Sequence, residues 1–453
     1  MPHDASRIQD TAVSFNFTMS TLLIRGGRVI SPEDGIDDQL DVWVEDGVIR
    51  LMDRQISTPA DETLDAHKQI VSPGFIDLHV HFREPGGEDS ETFKTGLEAA
   101  VAGGFTAVCP MPNTRPVNDS PELTRFMVGQ ARQIGLARVF PISAATLQSE
   151  GAQLTDFAAL AAAGAVAFSD DGRPLKTASL MRQALDRAGA LGLPIIDHCE
   201  DPALSAGGVI NQGPIAEKLG LPGIPNESED ACVARDLALA AETGAPLHLA
   251  HLSTAGSIQM VREAKRNGVH VTCEVTPHHF TLTEKAVEQY GANAKMNPPL
   301  RSAKDRDAIL EGIADGTVDV IATDHAPHAP KLKSKSIAAA PFGVIGLETA
   351  LGLAMTQLVD PGRISLVRLI ELFSSHPARI IHQSLGRLRV GEAADITIFD
   401  PRREWTYHAA EGKSKSCNSP FDGWKLKGAV TATLVSGKVV YRRADESATP
   451  LPI

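Results

Sequence analysis

Between residues 74 and 380 the chain repeats one rhythm of short apolar β-type runs followed by stretches with apolar residues at helical spacing. The runs are GFIDLHVH, FTAVCPMPN, ARVFPISAAT, GAVAFSDDG, LPIIDHCE, PLHLAHLS, VHVTCEVTPHH and VDVIATDHAP. Between most of them lie segments such as SLMRQALDRAGALG and AGSIQMVREAKRNG, which read as amphipathic helices. Near-continuous apolar strands belong to parallel sheets covered by helices. Eight of them alternating with helices predict an α/β fold, a (β/α)8 TIM-like barrel. The longer gaps before the sixth and eighth runs mark places where loops grow.

The two ends have a different texture. LLIRGGRVI, DVWVEDGVIRLM and QIVSPG near the start, and GEAADITIFD, AVTATLVSG and KVVYRR near the finish, are short β-type runs. Gly26-Gly27, Asp46-Gly47 and Pro73-Gly74 punctuate the first set as hairpin turns would. The expected organisation is a small β domain from residues 19–72 plus 383–445, and a catalytic barrel from 73–382. Residues 1–18 lack the basic-then-apolar order of a signal peptide and read as a disordered extension, with Met1 and Met19 both open as starts.

Composition narrows the class. A chain of 453 residues exceeds what one compact core usually serves. The formal net charge of -13, with no basic run against it, excludes a nucleic-acid or anionic-membrane surface. No stretch approaches the roughly 20 apolar residues of a membrane helix, so a cytoplasmic enzyme is expected. The five cysteines, Cys109, Cys199, Cys232, Cys273 and Cys417, form no C-x-x-C pair and read as reduced, mostly buried thiols.

The chemistry gathers at one end of the barrel. His79 and His81, Asp170-Asp171, His198, His251 and Asp324 all fall at the C-terminal ends of predicted strands, the rim where this fold builds active sites. Residues two apart on a strand point the same way, so His79 and His81 can reach one cation. His198 and His251 would each serve alone as a core histidine, but together with the first pair they suit zinc. His248 sits deeper in its strand and reads as core or as a support to the rim. Adjacent Asp170 and Asp171 face opposite ways, so one ligates and the other bonds the loop backbone.

DLHVHFREPG, CPMPNTRP, FSDDG, HCE, AHLST, EVTPHH, MNPPLRS, TDHAPH and APFGVIGLET, in this order, resemble the dihydroorotases of the cyclic amidohydrolase superfamily. The similarity runs from about residue 20 to 443 and is to the bacterial class I type, in which Asp replaces a carboxylated lysine. The resemblance implies the metal-dependent hydrolase barrel with two zincs per subunit. His79 and His81 would hold the first, His198 and His251 the second, with Asp171 as the bridge and Asp324 as a further ligand. It also implies substrate contacts from His81, Arg83, Asn113, Asn297, His328 and the backbone at Phe342 and Gly343.

The implied reaction is the reversible opening of dihydroorotate to N-carbamoyl-aspartate, the third step of pyrimidine synthesis. A metal-bridging hydroxide would be the nucleophile, with Asp324 as general base and then acid. The alternatives are an allantoinase- or dihydropyrimidinase-like enzyme, which the Asp bridge disfavours, and a non-catalytic scaffold for aspartate transcarbamoylase, which the full ligand set disfavours. Homodimerisation and association with a transcarbamoylase are left open. Lys331, Lys333 and Lys335, after the eighth run, read as a solvated basic loop.

Overall fold

The computed structural model describes residues 20–444; the expected extension over 1–18, and the choice between Met1 and Met19, lie outside them. Each of the eight apolar runs supplies a barrel strand. They are Phe75–Val80, Phe105–Pro110, a third split into Arg138–Val139 and Ile142–Ala144, then Ala167–Ser169, Ile195–Asp197, Leu247–Leu249, Val271–Val275 and Val320–Ile321. Neighbours pair in chain order and in parallel. The third strand breaks at Phe140-Pro141, where the proline has no N–H to give the ladder. Val80 bridges His325 in parallel, and the His81 amide donates to the His325 carbonyl at 2.8 Å, which closes the ring.

The helices form where the apolar spacing put them. Ala178–Ala190 starts at the Thr177 cap and buries Met181, Ala184, Leu185 and Ala188. Ala255–Arg266 starts at the Thr254 cap and buries Ser257, Ile258, Val261 and Ala264, the i, i+3, i+4 stripe of one face. The gap before the sixth strand grows into helices Pro202–Ser205, Pro214–Leu219 and Glu227–Thr243. The gap before the eighth holds Pro277–Thr281, Ala286–Tyr290 and Ala303–Asp315.

Strands from both chain ends meet in one sheet, in the order Lys438–Arg442, Lys425–Val435, Ile396–Thr406, Ile70–Pro73, Thr21–Ser31, Ile36–Glu45, Val48–Asp53. The seam is antiparallel, Ile396 opposite Pro73 and Ile398 opposite Val71. Of the three expected hairpin signals, Asp46-Gly47 turns a hairpin, with both residues at positive φ. The other two are corrected. Gly26-Gly27 lies inside the strand Thr21–Ser31, at a register shift where the chain bulges. Pro73-Gly74 leads from the sheet into the first barrel strand, and the close approach of Thr106 leaves no room for a Cβ at Gly74. Sheet and barrel share a core: the Phe75 ring lies 5.9 Å from Phe105, 5.2 Å from Phe373 and 6.1 Å from Phe399. Arg138 adds a paired contact to Asp395 at 2.6 and 3.3 Å. No helix among the described residues is long and apolar enough to cross a membrane.

Candidate active site

The first barrel strand directs Asp77, His79 and His81 to one side, as its period of two requires. Asp77 accepts from the Thr323 amide at 3.1 Å, the Thr323 hydroxyl at 2.5 Å and the His79 amide at 3.1 Å, tying the first strand to the segment carrying Asp324. Burial pushes its carboxyl up to about 7. On the seventh strand Glu274 accepts from His79 Nδ1 at 2.8 Å and His248 Nε2 at 3.1 Å, and the His251 amide lies 3.3 Å away. His79 Nδ1 thus carries its proton toward Glu274, and its Nε2 lone pair faces the rim. His248 stands behind the rim, as its depth in the strand suggested.

Four imidazoles converge on Asp171. Its Oδ1 lies 3.4 Å from His79 Nε2, 3.6 Å from His198 Nδ1 and 3.7 Å from His251 Nε2, and its Oδ2 lies 3.6 Å from His81 Nε2. The result is two ligand triangles with Asp171 as their common corner, one with His79 and His81 and one with His198 and His251. Asp324 Oδ1 stands beside the first, 2.9 Å from His81 Nε2 and 3.7 Å from His79 Nε2.

His79 Nε2 and Asp171 Oδ1 are buried without a hydrogen-bond partner. Buried polar atoms are rarely left so, and these separations suit atoms that share a cation about 2 Å from each. Burial lowers the His79 pKa, but Asp171 and Glu274 outweigh it and raise it well above the usual value. Burial raises Asp171, yet His79, His198 and His251 hold it well below the usual carboxylate range. The field that favours a proton here favours a metal in its place. Asp170 faces the other way and accepts from the Thr146 amide at 2.9 Å and from its hydroxyl. His251 and Asp324 both sit at positive φ, 32° and 46°, a backbone strain of about 1–3 kcal/mol each that aims them inward.

A cavity of about 220 Å³ opens beside these groups, and Arg83, Asn113, Asn297, His328, Phe342 and Gly343 all line it. Its size suits one small ring. Arg83 donates from Nε to the Pro327 carbonyl at 3.2 Å and, among the described residues, has no carboxylate salt bridge. Asn113 lies 2.9 Å from His81 Nδ1 and donates to Asp171 Oδ2 at 3.2 Å, so its amide also orients the rim. Asn297 donates to Glu200 at 2.6 Å, and Glu200 accepts from His198 Nε2 at 3.0 Å, leaving His198 Nδ1 for the rim. His328 donates from Nε2 to the Phe342 carbonyl at 2.6 Å; burial and the Arg83 charge bring its pKa down to about 3, so it is neutral.

The expected solvated loop needs one correction. Lys331 is exposed and meets Asp89 at 2.7 Å, and Lys335 is exposed, but Lys333 is buried because the short helix Pro330–Lys333 turns it inward. Glu274, Glu200 and Lys295 also belong to this region, though none stands out among the motifs of the sequence. Glu274 had a signal, a charge inside an apolar strand; Lys295 had none. A second buried group, Asp197, Cys199, Cys232 and Asp236, has metal-type donors. There the Arg235 guanidinium already supplies the cation, 2.7 Å from Asp236 and 3.2 Å from Cys232 Sγ. Four of the cysteines are buried thiols, and Cys417 is exposed.

A family model described as dihydro-orotase-like matches residues 68–257. The dihydroorotase of Citrifermentans bemidjiense is 49% identical over 422 residues, 93% of this chain and 99% of the relative. That of Solibacter usitatus is 49% identical over 428 residues, 94% of this chain and 100% of the relative. Among solved structures, the L-hydantoinase (dihydropyrimidinase) from Arthrobacter aurescens superposes with a TM-score of 0.83 at 27% identity, covering 94% of this chain and 96% of its own. The dihydropyrimidinase from Brevibacillus agri, at 23% identity and a TM-score of 0.79, shares the fold.

Proposed function

The chain belongs to the dihydroorotase family of metal-dependent cyclic-amide hydrolases, and on that footing we propose that it opens dihydroorotate to N-carbamoyl-aspartate and closes it again. The observation that carries the reading is Asp171, shared by two imidazole pairs at the edge of a small cavity that Arg83 also lines, with no carboxylate salt bridge to it among the described residues. His79, His81 and Asp324 would hold one metal, His198 and His251 the other, and Asp171 both. Nitrogen and carboxylate donors without thiolates suit zinc. When bound, the metals polarise the amide carbonyl and lower the pKa of water toward about 7.

The remaining work falls to the chain. Arg83 grips the substrate carboxylate with its fork of N–H donors, helped by Asn113 and His328. Asn297 and the backbone at Phe342-Gly343 read the amide edges of the ring. Asp324 takes a proton from the attacking water and returns it to the departing ring nitrogen; ring closure reverses the order. The reaction belongs to pyrimidine synthesis, and the cytoplasm is the compartment we assign to it. The barrel residues 73–382 form its catalytic unit, and of the expected 19–72 with 383–445 the described residues 20–72 and 383–444 form the β unit that braces it.

Purified protein should open dihydroorotate with two zincs per chain, measured on one sample by ring-opening assay and metal analysis. Bound zinc with turnover only on a hydantoin or a dihydropyrimidine would replace the substrate named here. Glu274→Gln weakens the hold on His79 and His248 together, so metal affinity should fall about 10–100-fold. Competition against a chelator measures this, and unchanged affinity would remove Glu274 from its orienting role.

A further inference from the structure

Two lysines outside this mechanism are buried beside the cavity. Lys295 Nζ donates to the carbonyls of Ile337 at 2.8 Å, Ala338 at 3.2 Å and Ala340 at 2.7 Å, and lies 4.5 Å from the centre of the Phe342 ring. Lys333 Nζ donates to the carbonyls of Lys295 at 3.2 Å, Pro341 at 3.1 Å and Gly343 at 2.9 Å. The Gly343 amide closes the arrangement on the Lys295 carbonyl at 3.0 Å. Each ammonium therefore aims its three N–H groups at backbone oxygens, and among the described residues neither has a carboxylate salt bridge.

Burying an ammonium is costly unless its donors are satisfied, and an irregular segment has no ladder to satisfy its carbonyls. Here each need meets the other. The segment 337–343 has neither strand nor helix, yet five of its carbonyls are held by two lysine side chains. Its end is also packed tightly against the segment after the eighth strand: a Cβ on Gly343 would meet Ala326 Cβ at 2.7 Å. Phe342 lies between the Pro341 and Gly343 carbonyls that Lys333 holds, its own carbonyl accepts from His328 Nε2, and Phe342 with Gly343 forms one wall of the cavity.

We propose that Lys295 and Lys333 are positioning residues for substrate recognition, which act through the backbone of residues 337–343 to hold the Phe342-Gly343 wall in its binding geometry before substrate arrives. This rests on the reading of the cavity as the cyclic-amide site. A wall built by the free protein spares the substrate the cost of ordering it, so the two lysines act on binding and leave the proton transfer to Asp324.

Lys333→Met and Lys295→Met test the assignment, since methionine fills much of the stem without the donors. Charge-assisted hydrogen bonds of this kind predict a rise in KM for dihydroorotate of about ten- to hundredfold. The kcat should stay within about threefold, as for lost uniform binding, and metal content should not change. Lys333→Gln keeps two N–H donors and should recover part of the loss. Hydrogen exchange on the metal-loaded enzyme should show faster exchange confined to the segment around 337–343 in both methionine variants. A KM within about twofold of the parent, or a rise accompanied by metal loss, would overturn the proposal, as would unchanged exchange. Should the parent enzyme not turn over dihydroorotate, the substrate reading fails, and the exchange comparison still decides whether the lysines hold the wall.

Discussion

Asp324→Asn should keep its metal and lose about three to four orders of magnitude in kcat, the upper part of the range for a general acid–base group. Asparagine has the shape of aspartate and keeps an oxygen toward His81 and His79, which stand 2.9 and 3.7 Å from the carboxylate. It cannot accept a proton at working pH. Burial alone would raise the Asp324 pKa, but the hydrogen bond from His81 and the charges of His79 and His81 bring it well below the usual range. The group is therefore ionised and able to receive a proton when the water attacks. Steady-state kinetics with metal analysis on the same sample decide the matter, and activity within about tenfold of the parent would remove Asp324 from its role.

The second large effect is expected at Asp171. Its two oxygens are the only protein anion common to both histidine pairs among the described ligand groups. Asp171→Ala removes the one carboxylate that both imidazole pairs share and leaves Asp324 beside the first pair only, so cation binding loses its electrostatic centre. Metal affinity should drop by more than about 100-fold, beyond the loss expected from disturbing an outer partner, and turnover should fall with it. A ligand that binds only the folded state stabilises it by mass action. Chelation should therefore lower the melting temperature of the parent and change that of Asp171→Ala little. Full metal content with near-parent turnover would contradict the shared-ligand arrangement.

Much of this molecule is legible as local pattern. A run of six or eight residues carries its own periodicity, so all eight barrel strands and helices such as Ala178–Ala190 could be placed without coordinates. The period of two put His79 and His81 on one side, and the same rule separated Asp171 from Asp170. The ordered motifs carried the family resemblance, because their residues lie at the strand ends that the fold gathers into one rim.

What needed the tertiary structure is what depends on partners distant in sequence. Glu274 supports His79, 195 residues away, and His248, 26 residues away. Nothing in HVTCEV says which strand it faces. Gly26-Gly27 has the composition of a turn and becomes a bulge because the strand Ile36–Glu45 continues to pair past it. Lys333 sits among solvent-type residues and is buried because the carbonyls of Lys295, Pro341 and Gly343 surround its ammonium. Periodicity reports the face a residue presents to its own element. Register, burial of a charge and the identity of its partner are settled only when separate segments are packed together, and at this site those three decide the chemistry.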